Sequence, residues 1–531
     1  MHKAIIPLLY VLIFSVSNLF AGNGSKPHYN DKDINHIVSQ LTLEQKARLL
    51  VGCPGSDKGV SHIVAGSAGY TFPIDSLDIP SINLADGPVG VRITPVLPNK
   101  PYTSYCTCFP STTALAATWN KDIARLEGNA IGDEALAYGV DIVLTPGINI
   151  MRNPLCGRNF EYFSEDPYLS GIMGAAMING IQDKGIGASL KHFIANNQQT
   201  GKLYNDARIS QRAIREIYLK GFEICIKNFD PWTVMGSYNK IGGQYTQANP
   251  ELLRTILRNE WNYNGLIVTD WYKKRDTADQ LNGGTDLMMP GEQSQVDEII
   301  AGVKNGRISE TTLNKSVKYV LKLISKSISN KGWEYNEAPD LAANAALARR
   351  IATEGMVLLK NDRSFLPISQ GAKIALFGAT AYKSIAGGTG SSNVNKAHIT
   401  DISTGLEKGG YTLSNRLKGL YTKFVEFQND LLDKHPESTD WEKLSYNRTV
   451  IAEMDLSKAE SIIGQEAKNS DIALIVIGRG SGEESDRRLE GDFYLTPEEK
   501  FMIENVSSQF HAAGKKVAVV MNVCGVMEMN S

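Results

Sequence analysis

The sequence is short of most features that would mark it for nucleic acid, membrane or metal. Its 55 Lys and Arg nearly balance 57 Asp and Glu, giving a net charge of −2, whereas a phosphate-binding surface needs a clear basic excess. No low-complexity run is present, and beyond the N-terminus no apolar stretch is long enough for a transmembrane helix. Gly387-Gly388-Thr389-Gly390-Ser391 lacks the Gly-Lys-Ser/Thr ending of a P-loop. Gly478-Arg479-Gly480-Ser481-Gly482 fails as a dinucleotide fingerprint because its third glycine comes one place early. Cysteine is scarce, six in 531 residues, and a chain this long needs no disulfide staples. Cys106-Thr107-Cys108 has no second His or Cys cluster at metal-ligand spacing, and Cys225 falls in a helical pattern as a core residue.

What remains is a globular composition, 42% hydrophobic and 21% charged, in a length that implies two or three domains. His2 and Lys3, the apolar run 4–16 and the small residues of Ser17-Asn18-Leu19-Phe20-Ala21 read as a signal peptide, residues 1–21, cut after Ala21. The mature protein is then expected in the periplasm or outside the cell and off the membrane; the alternative is an uncleaved N-terminal anchor. Strand-like runs at 140–144, 186–190, 233–235 and 266–268 alternate with helical patterns such as 210–226, and Thr42-Leu43-Glu44-Gln45 is a capping box. The alternation implies a parallel α/β sheet, which fits a (β/α)8-type barrel over 28–333 and, on periodicity alone, a doubly wound sheet too. A linker is expected at 334–349. The second α/β unit, 350–531, has strands at 374–377, 472–477 and 517–521 and a helix capped by Thr496-Pro497-Glu498-Glu499. A parallel strand that close to the end of the sequence needs covering, so this α/β sandwich domain reads as incomplete.

Acidic residues at strand ends are the catalytic candidates. In Gly265-Leu266-Ile267-Val268-Thr269-Asp270-Trp271 a buried-looking strand delivers Asp270 at its C-terminal end, where barrel enzymes place reacting groups, and Trp271 offers an apolar wall for a sugar ring. Taken alone, the pattern fits a helix-capping Asp better. Other motifs then follow in order: Leu84-Ala85-Asp86-Gly87-Pro88-Val89-Gly90, Cys156-Gly157-Arg158-Asn159-Phe160-Glu161 running on to Glu165-Asp166-Pro167, and Lys191-His192-Phe193-Ile194-Ala195-Asn196-Asn197. Gly236-Ser237-Tyr238-Asn239, the glycine-rich 387–391 turn and Ser481-Gly482-Glu483 complete the set. In these motifs and their order the chain resembles glycoside hydrolase family 3.

The resemblance implies a retaining β-glycosidase, first a β-glucosidase and next a β-xylosidase. It would act on β-linked oligosaccharides or aryl and alkyl glucosides from the non-reducing end, with no cofactor. It makes Asp270 the nucleophile, maps the non-reducing sugar onto Asp86, Arg158, Lys191, His192 and Tyr238, and has Ser391 donate to that sugar from the second domain. The residue types suit this: Asp86 can accept from two hydroxyls, Arg158 and Lys191 only donate, and their charges are expected to keep Asp270 ionised. Read singly, Asp86-Gly87-Pro88 is a turn, Arg158 a structural partner of Glu161 or Glu165, and His192 a satisfied core histidine. The proton donor is expected from the loop 479–486, with Glu483 first, Glu484 next and Asp486 last, in a drier setting than Asp270 so that it stays protonated. Without the resemblance the same loop reads equally well as a solvated acidic turn.

Where the family often has Glu and, three residues on, Arg, this chain has Gln199 and Lys202. Lys lacks the bidentate fork of Arg, which leaves substrate choice open. The incomplete sandwich keeps a second hypothesis, a catalytically disabled carbohydrate-binding protein whose acid loop is not held over the site. The Lys-His-Phe-Pro-Gly-His-Gly segment of N-acetylglucosaminidase members is absent, since Lys191-His192-Phe193 leads into Ile194-Ala195-Asn196-Asn197.

Overall fold

The computed structural model describes residues 27–55, 64, 66–93, 104–271, 275–433 and 451–529, so the expected signal peptide lies outside the described residues. The first unit's strands are β1 (Cys53–Pro54), β2 (Gly69–Tyr70), β3 (Asn83–Asp86), β4 (Ile142–Leu144), β5 (Gly187–Phe193), β6 (Asp206–Ala207), β7 (Thr233–Gly236), β8 (Lys240–Ile241), β9 (Gln244–Tyr245) and β10 (Leu266–Val268). One sheet runs β1-β2-β3-β4-β5-β7-β10, and β6, β8 and β9 form a small separate one. The larger sheet closes on itself through residues 286–289, where Leu287 pairs with Val268 and Met288 with Val51. Gly52 N–H donates to Met288 O at 2.8 Å, and Met288 N–H to Leu50 O at 3.0 Å. The barrel expected from the alternation is therefore present, with one departure: β2 runs antiparallel to both its neighbours. Antiparallel neighbours need no helical crossover, which is why the α/β rhythm starts only at β3.

Every residue of β4, β5, β7 and β10 is buried. Ile142, Leu144, Leu266 and Val268 join one apolar cluster, while Val143, Leu190, Val234 and Ile267 join the other. Burial on both faces is the reason these strands read as continuous apolar runs. The helical pattern at 210–226 is realised in pieces, a π-helical segment Ile214–Tyr218 leading to the helix Lys220–Phe229. All six cysteines are free thiols, with Cys225 in the core.

A buried carboxylate ties the barrel's edge to its last segment. Asp141, fully buried before β4, accepts from Asn83 N–H at 2.8 Å, Ser329 N–H at 2.9 Å and the Ser329 hydroxyl at 2.8 Å. Asp141→Ala would leave three donors without an acceptor, a cost of about 3 kcal/mol in this context. The expected outcome is an earlier denaturant midpoint for the barrel transition, with its slope unchanged.

The second unit contains β11 (Lys373–Phe377), β12 (Thr412–Leu413), β13 (Ile472–Arg479) and β14 (Lys516–Val523), all parallel in the order β12-β11-β13-β14. All eight residues of β13 are buried, whereas β14, at the end of the sheet order, leaves Val519 49% exposed. The helix Pro497–Ala512 opens at the Thr496/Glu499 capping box expected for it. The stretch 334–349 is irregular only as far as Asp340, because the helix Leu341–Gly355 begins there. Beyond that helix Met356, Val357, Leu358 and Leu359 are 63–72% exposed. Among the described residues no helix is long and apolar enough to cross a membrane.

Candidate active site

The parallel strands of the barrel deliver most of the expected residues at one end, as a barrel of this kind does. Asp86 ends β3, Arg158 lies in the loop after β4, Lys191 and His192 close β5, Tyr238 follows β7, and Asp270 follows β10. Asp270 is 6% exposed; its Oδ1 accepts from Trp271 N–H at 2.8 Å, and its Oδ2 is buried with no hydrogen-bond partner among the described residues. His192 Nε2 stands 3.8 Å from that free oxygen. On its other side His192 Nδ1 meets the Tyr162 hydroxyl at 3.2 Å and Asn149 Oδ1 at 3.3 Å, and Tyr162 in turn accepts from Asn196 at 2.8 Å. The tautomer with its proton on Nε2 suits the Asp270 carboxylate. The Tyr238 hydroxyl donates to Trp271 O at 2.9 Å, and the Trp271 indole N–H to Ala68 O at 2.8 Å, so that ring is fixed to a barrel loop. Asp86 keeps one oxygen on Arg92 at 3.1 Å.

The second unit closes the site. The loop after β13 meets the 387–391 turn at a bridge between Thr389 and Gly482, where a Cβ on Gly482 would come 1.7 Å from Thr389 Oγ1. Only glycine fits there. This contact brings Glu483 against the barrel: its Oε1 accepts from Arg158 Nη1 at 3.1 Å and Lys202 Nζ at 3.0 Å, and its Oε2 from Ser391 N–H at 3.2 Å. Arg158 Nη2 also donates to the Ser391 hydroxyl oxygen at 3.3 Å, so Ser391 braces Glu483 and Arg158 and keeps its own O–H as a donor. The three acidic candidates of this loop are separated in role. Glu483 is inside; Glu484 has its side chain 59% exposed and pairs with Lys202 at 2.7 Å; Asp486 binds backbone N–H groups of the barrel.

The electrostatics invert the expected protonation order. Burial pushes Asp270 up to about 6, against the pull of Arg158, Lys191 and Lys202 and with a further push from Glu483. The neighbouring cations pull towards the ionised form as expected, and desolvation is the larger effect. Burial also pushes Glu483 up, but Arg158, Lys202 and the Ser391 N–H outweigh it and hold the carboxyl well below the usual range. These contacts favour the ionised form of Glu483, whereas the sequence led us to expect a protonated acid. Burial, with Arg158, Lys191 and Lys202, keeps His192 well below the usual imidazole range and neutral. The structural pairing of Arg158 with Glu161 is present through its Nε, while Nη1 and Nη2 are turned to Glu483 and Ser391.

Lys202, noted in the sequence only as a departure, is a central member of the site; its Nζ also lies 4.9 Å above the Tyr238 ring. Its signal was its place three residues after Gln199. Glu161 is missed as a site-builder: it links Arg158 to the Ser392 hydroxyl across the two units. Nothing local in the sequence announces that partner.

Residues 101–323 match the glycosyl hydrolase family 3 N-terminal domain and residues 356–531 the family 3 C-terminal domain. The chain is 40% identical over 410 residues to thermostable β-glucosidase B of Acetivibrio thermocellus, covering 76% of this chain and 51% of that protein. It is 34% identical over 503 residues to an exo-α-(1→6)-L-arabinopyranosidase of Bifidobacterium longum, covering 91% and 59%. Among solved structures, β-glucosidase 3B of Thermotoga neapolitana in complex with α-D-glucose superposes with a TM-score of 0.88 at 41% identity, over 94% of this chain and 70% of that one. The chain thus spans between 51% and 59% of the length of these two curated relatives.

Proposed function

Since this chain belongs to glycosyl hydrolase family 3, we propose that it is an exported, retaining β-glucosidase acting on β-linked oligosaccharides and simple glucosides by double displacement. The observation that carries the reading is that Glu483 of the second unit is held between Arg158 and Lys202 of the barrel, close enough to Asp270, itself buried with one oxygen unpartnered among the described residues, to push on its charge. Asp270 Oδ2 attacks the anomeric carbon while a protonated Glu483 gives its proton to the departing oxygen; water then attacks the glycosyl–Asp270 ester as Glu483 takes the proton back. Sugar hydroxyls entering the site would draw Arg158 and Lys202 away from Glu483 and let its proton affinity rise.

The protonation order gives a pH profile. The working form has Asp270 ionised and Glu483 protonated, and it exists only while the pair holds one proton between them. The upper apparent pKa of the pair is that of Asp270, about 6. Above it the last proton leaves, so kcat/KM for an alkyl glucoside is expected to fall about tenfold per pH unit. The charged groups around Glu483 are Arg158, Lys202, Glu484 and Asp270. Lys202→Met removes a cation that lowers both carboxyls, so the falling limb should move to higher pH. A limb that stays in place, or moves to lower pH, counts against the assignment.

The test of function is a panel of methyl and nitrophenyl β-glucoside, β-xyloside and α-L-arabinopyranoside followed by proton NMR. The β-glucoside should be cleaved fastest, with β-glucose the first anomer to appear. α-Glucose first would overturn retention, and faster cleavage of another sugar would overturn the glucose assignment. Export predicts a mature N-terminus at Gly22, readable by N-terminal sequencing.

A further inference from the structure

We propose that Asp486 is a positioning residue, which docks the proton-donor loop on the barrel and so sets where Glu483 stands. The inference rests on the reading of Glu483 as the acid and base. Asp486 Oδ1 accepts from Gly157 N–H at 3.2 Å and Gln199 N–H at 2.8 Å, and its Oδ2 from Thr200 N–H at 3.0 Å. These donors belong to two barrel loops, the one that carries Arg158 and the one that carries Lys202, while Asp486 belongs to the second unit. Arg158 and Lys202 are the same two cations that grip Glu483, three residues before Asp486. One carboxylate therefore fastens together both cation-bearing loops and the acid between them.

The neighbouring contacts point the same way. The Ser481 hydroxyl donates to Gly157 O at 2.5 Å, and Arg487 N–H to Leu155 O at 2.8 Å, so the loop is attached on both sides of Glu483. The backbones meet closely: a Cβ on Gly157 would lie 2.0 Å from Ser485 O and 2.3 Å from Gly482 O. Such an approach leaves no side chain to key the two surfaces at that point, and the hydrogen bonds of Asp486 supply the registration. A carboxylate suits the task because both its oxygens accept, whereas an amide has one accepting side and one donating side.

The test compares Asp486→Ala and the near-isosteric Asp486→Asn with wild type in the full chain. A misplaced Glu483 lowers kcat/KM only for substrates whose leaving group needs a proton, while kcat on an activated substrate falls through the base-dependent second step. For methyl β-glucoside, kcat/KM should fall about 100-fold in the Ala variant and less in the Asn variant, while for 2,4-dinitrophenyl β-glucoside both stay within about 3-fold of wild type. Azide, which needs no base, should restore kcat on the activated substrate. Hydrogen exchange of peptides covering Gly157 and Gln199–Thr200 should quicken in both variants, and this readout needs no activity at all. Equal losses on the two glucosides, no loss on either, or unchanged exchange would overturn the proposal. If wild type cleaves neither glucoside, the functional reading fails, and the exchange data still decide the docking role. Should the Ala variant fail to fold, the Asn variant carries both measurements.

Discussion

Asp270→Asn is expected to lower kcat on every glycoside the wild type cleaves by at least about 10,000-fold. The substitution is nearly isosteric and keeps an oxygen to accept from Trp271 N–H, the bond at 2.8 Å. It replaces the buried Oδ2, unpartnered among the described residues, with an amide nitrogen, which cannot attack an anomeric carbon. The barrel's other sugar-facing groups are untouched, so glucose should still bind, as calorimetry would register. Stability should move the other way. Because Asp270 has its pKa raised in the fold, it favours the native state below its unfolded pKa and loses that contribution as pH rises through about 6. At pH 7 the charged, buried carboxylate is a liability, and its removal should raise the unfolding midpoint, by a free energy on the order of 1–3 kcal/mol. Residual turnover above about 1% of wild type would place the nucleophile elsewhere.

Glu483→Ala should separate substrates by leaving group. Alkyl glucosides need a proton on the departing oxygen and should lose roughly 100- to 10,000-fold in kcat/KM, whereas dinitrophenyl glucoside, whose leaving group departs as an anion, should lose little. Deglycosylation lacks its base in the variant, so azide should raise kcat and yield β-glucosyl azide, the product of two inversions. Glu484→Ala is the control. Its side chain is 59% exposed and, among the described residues, pairs with Lys202, so the leaving-group dependence should stay as in wild type. If Glu484→Ala rather than Glu483→Ala shows the steep dependence, the two residues exchange roles.

How far the sequence foretold this arrangement depends on how local each signal was. Strands buried on both faces announce themselves as apolar runs, so Ile142–Leu144, Leu266–Val268 and Ile472–Arg479 were legible, as was the helix after the capping box at Thr496. β2, two residues long and antiparallel, carries no period to detect, and the 286–289 stave joins the sheet as isolated bridges to Val51 and Val268. Of the barrel's site residues only Asp270 was marked by such a run, and that run alone fitted a helix cap better; the others came from the ordered motifs of the resemblance. The partners that control them were not legible: Arg158 meets Glu483 across 325 residues, and Gln199 meets Asp486 across 287. The protonation order failed for the same reason. Which carboxyl is dry and which is surrounded by cations depends on how many charges converge in space. Lys202 and Ser391 reach Glu483 from different units, whereas Asp270 pays for its burial.

The division of the dyad between two hydrophobic cores has a consequence in time. Asp270 sits in the barrel, and Glu483 follows a strand whose residues Ala473, Ile475 and Ile477 belong to a separate core with Phe377, Met502 and Phe510. If each core consolidates by itself, turnover must await their union. On dilution from denaturant, tryptophan fluorescence should recover in an early phase and enzymatic rate in a later one. The delay would measure docking, which makes activity a clock for the final step of assembly rather than for folding of either part.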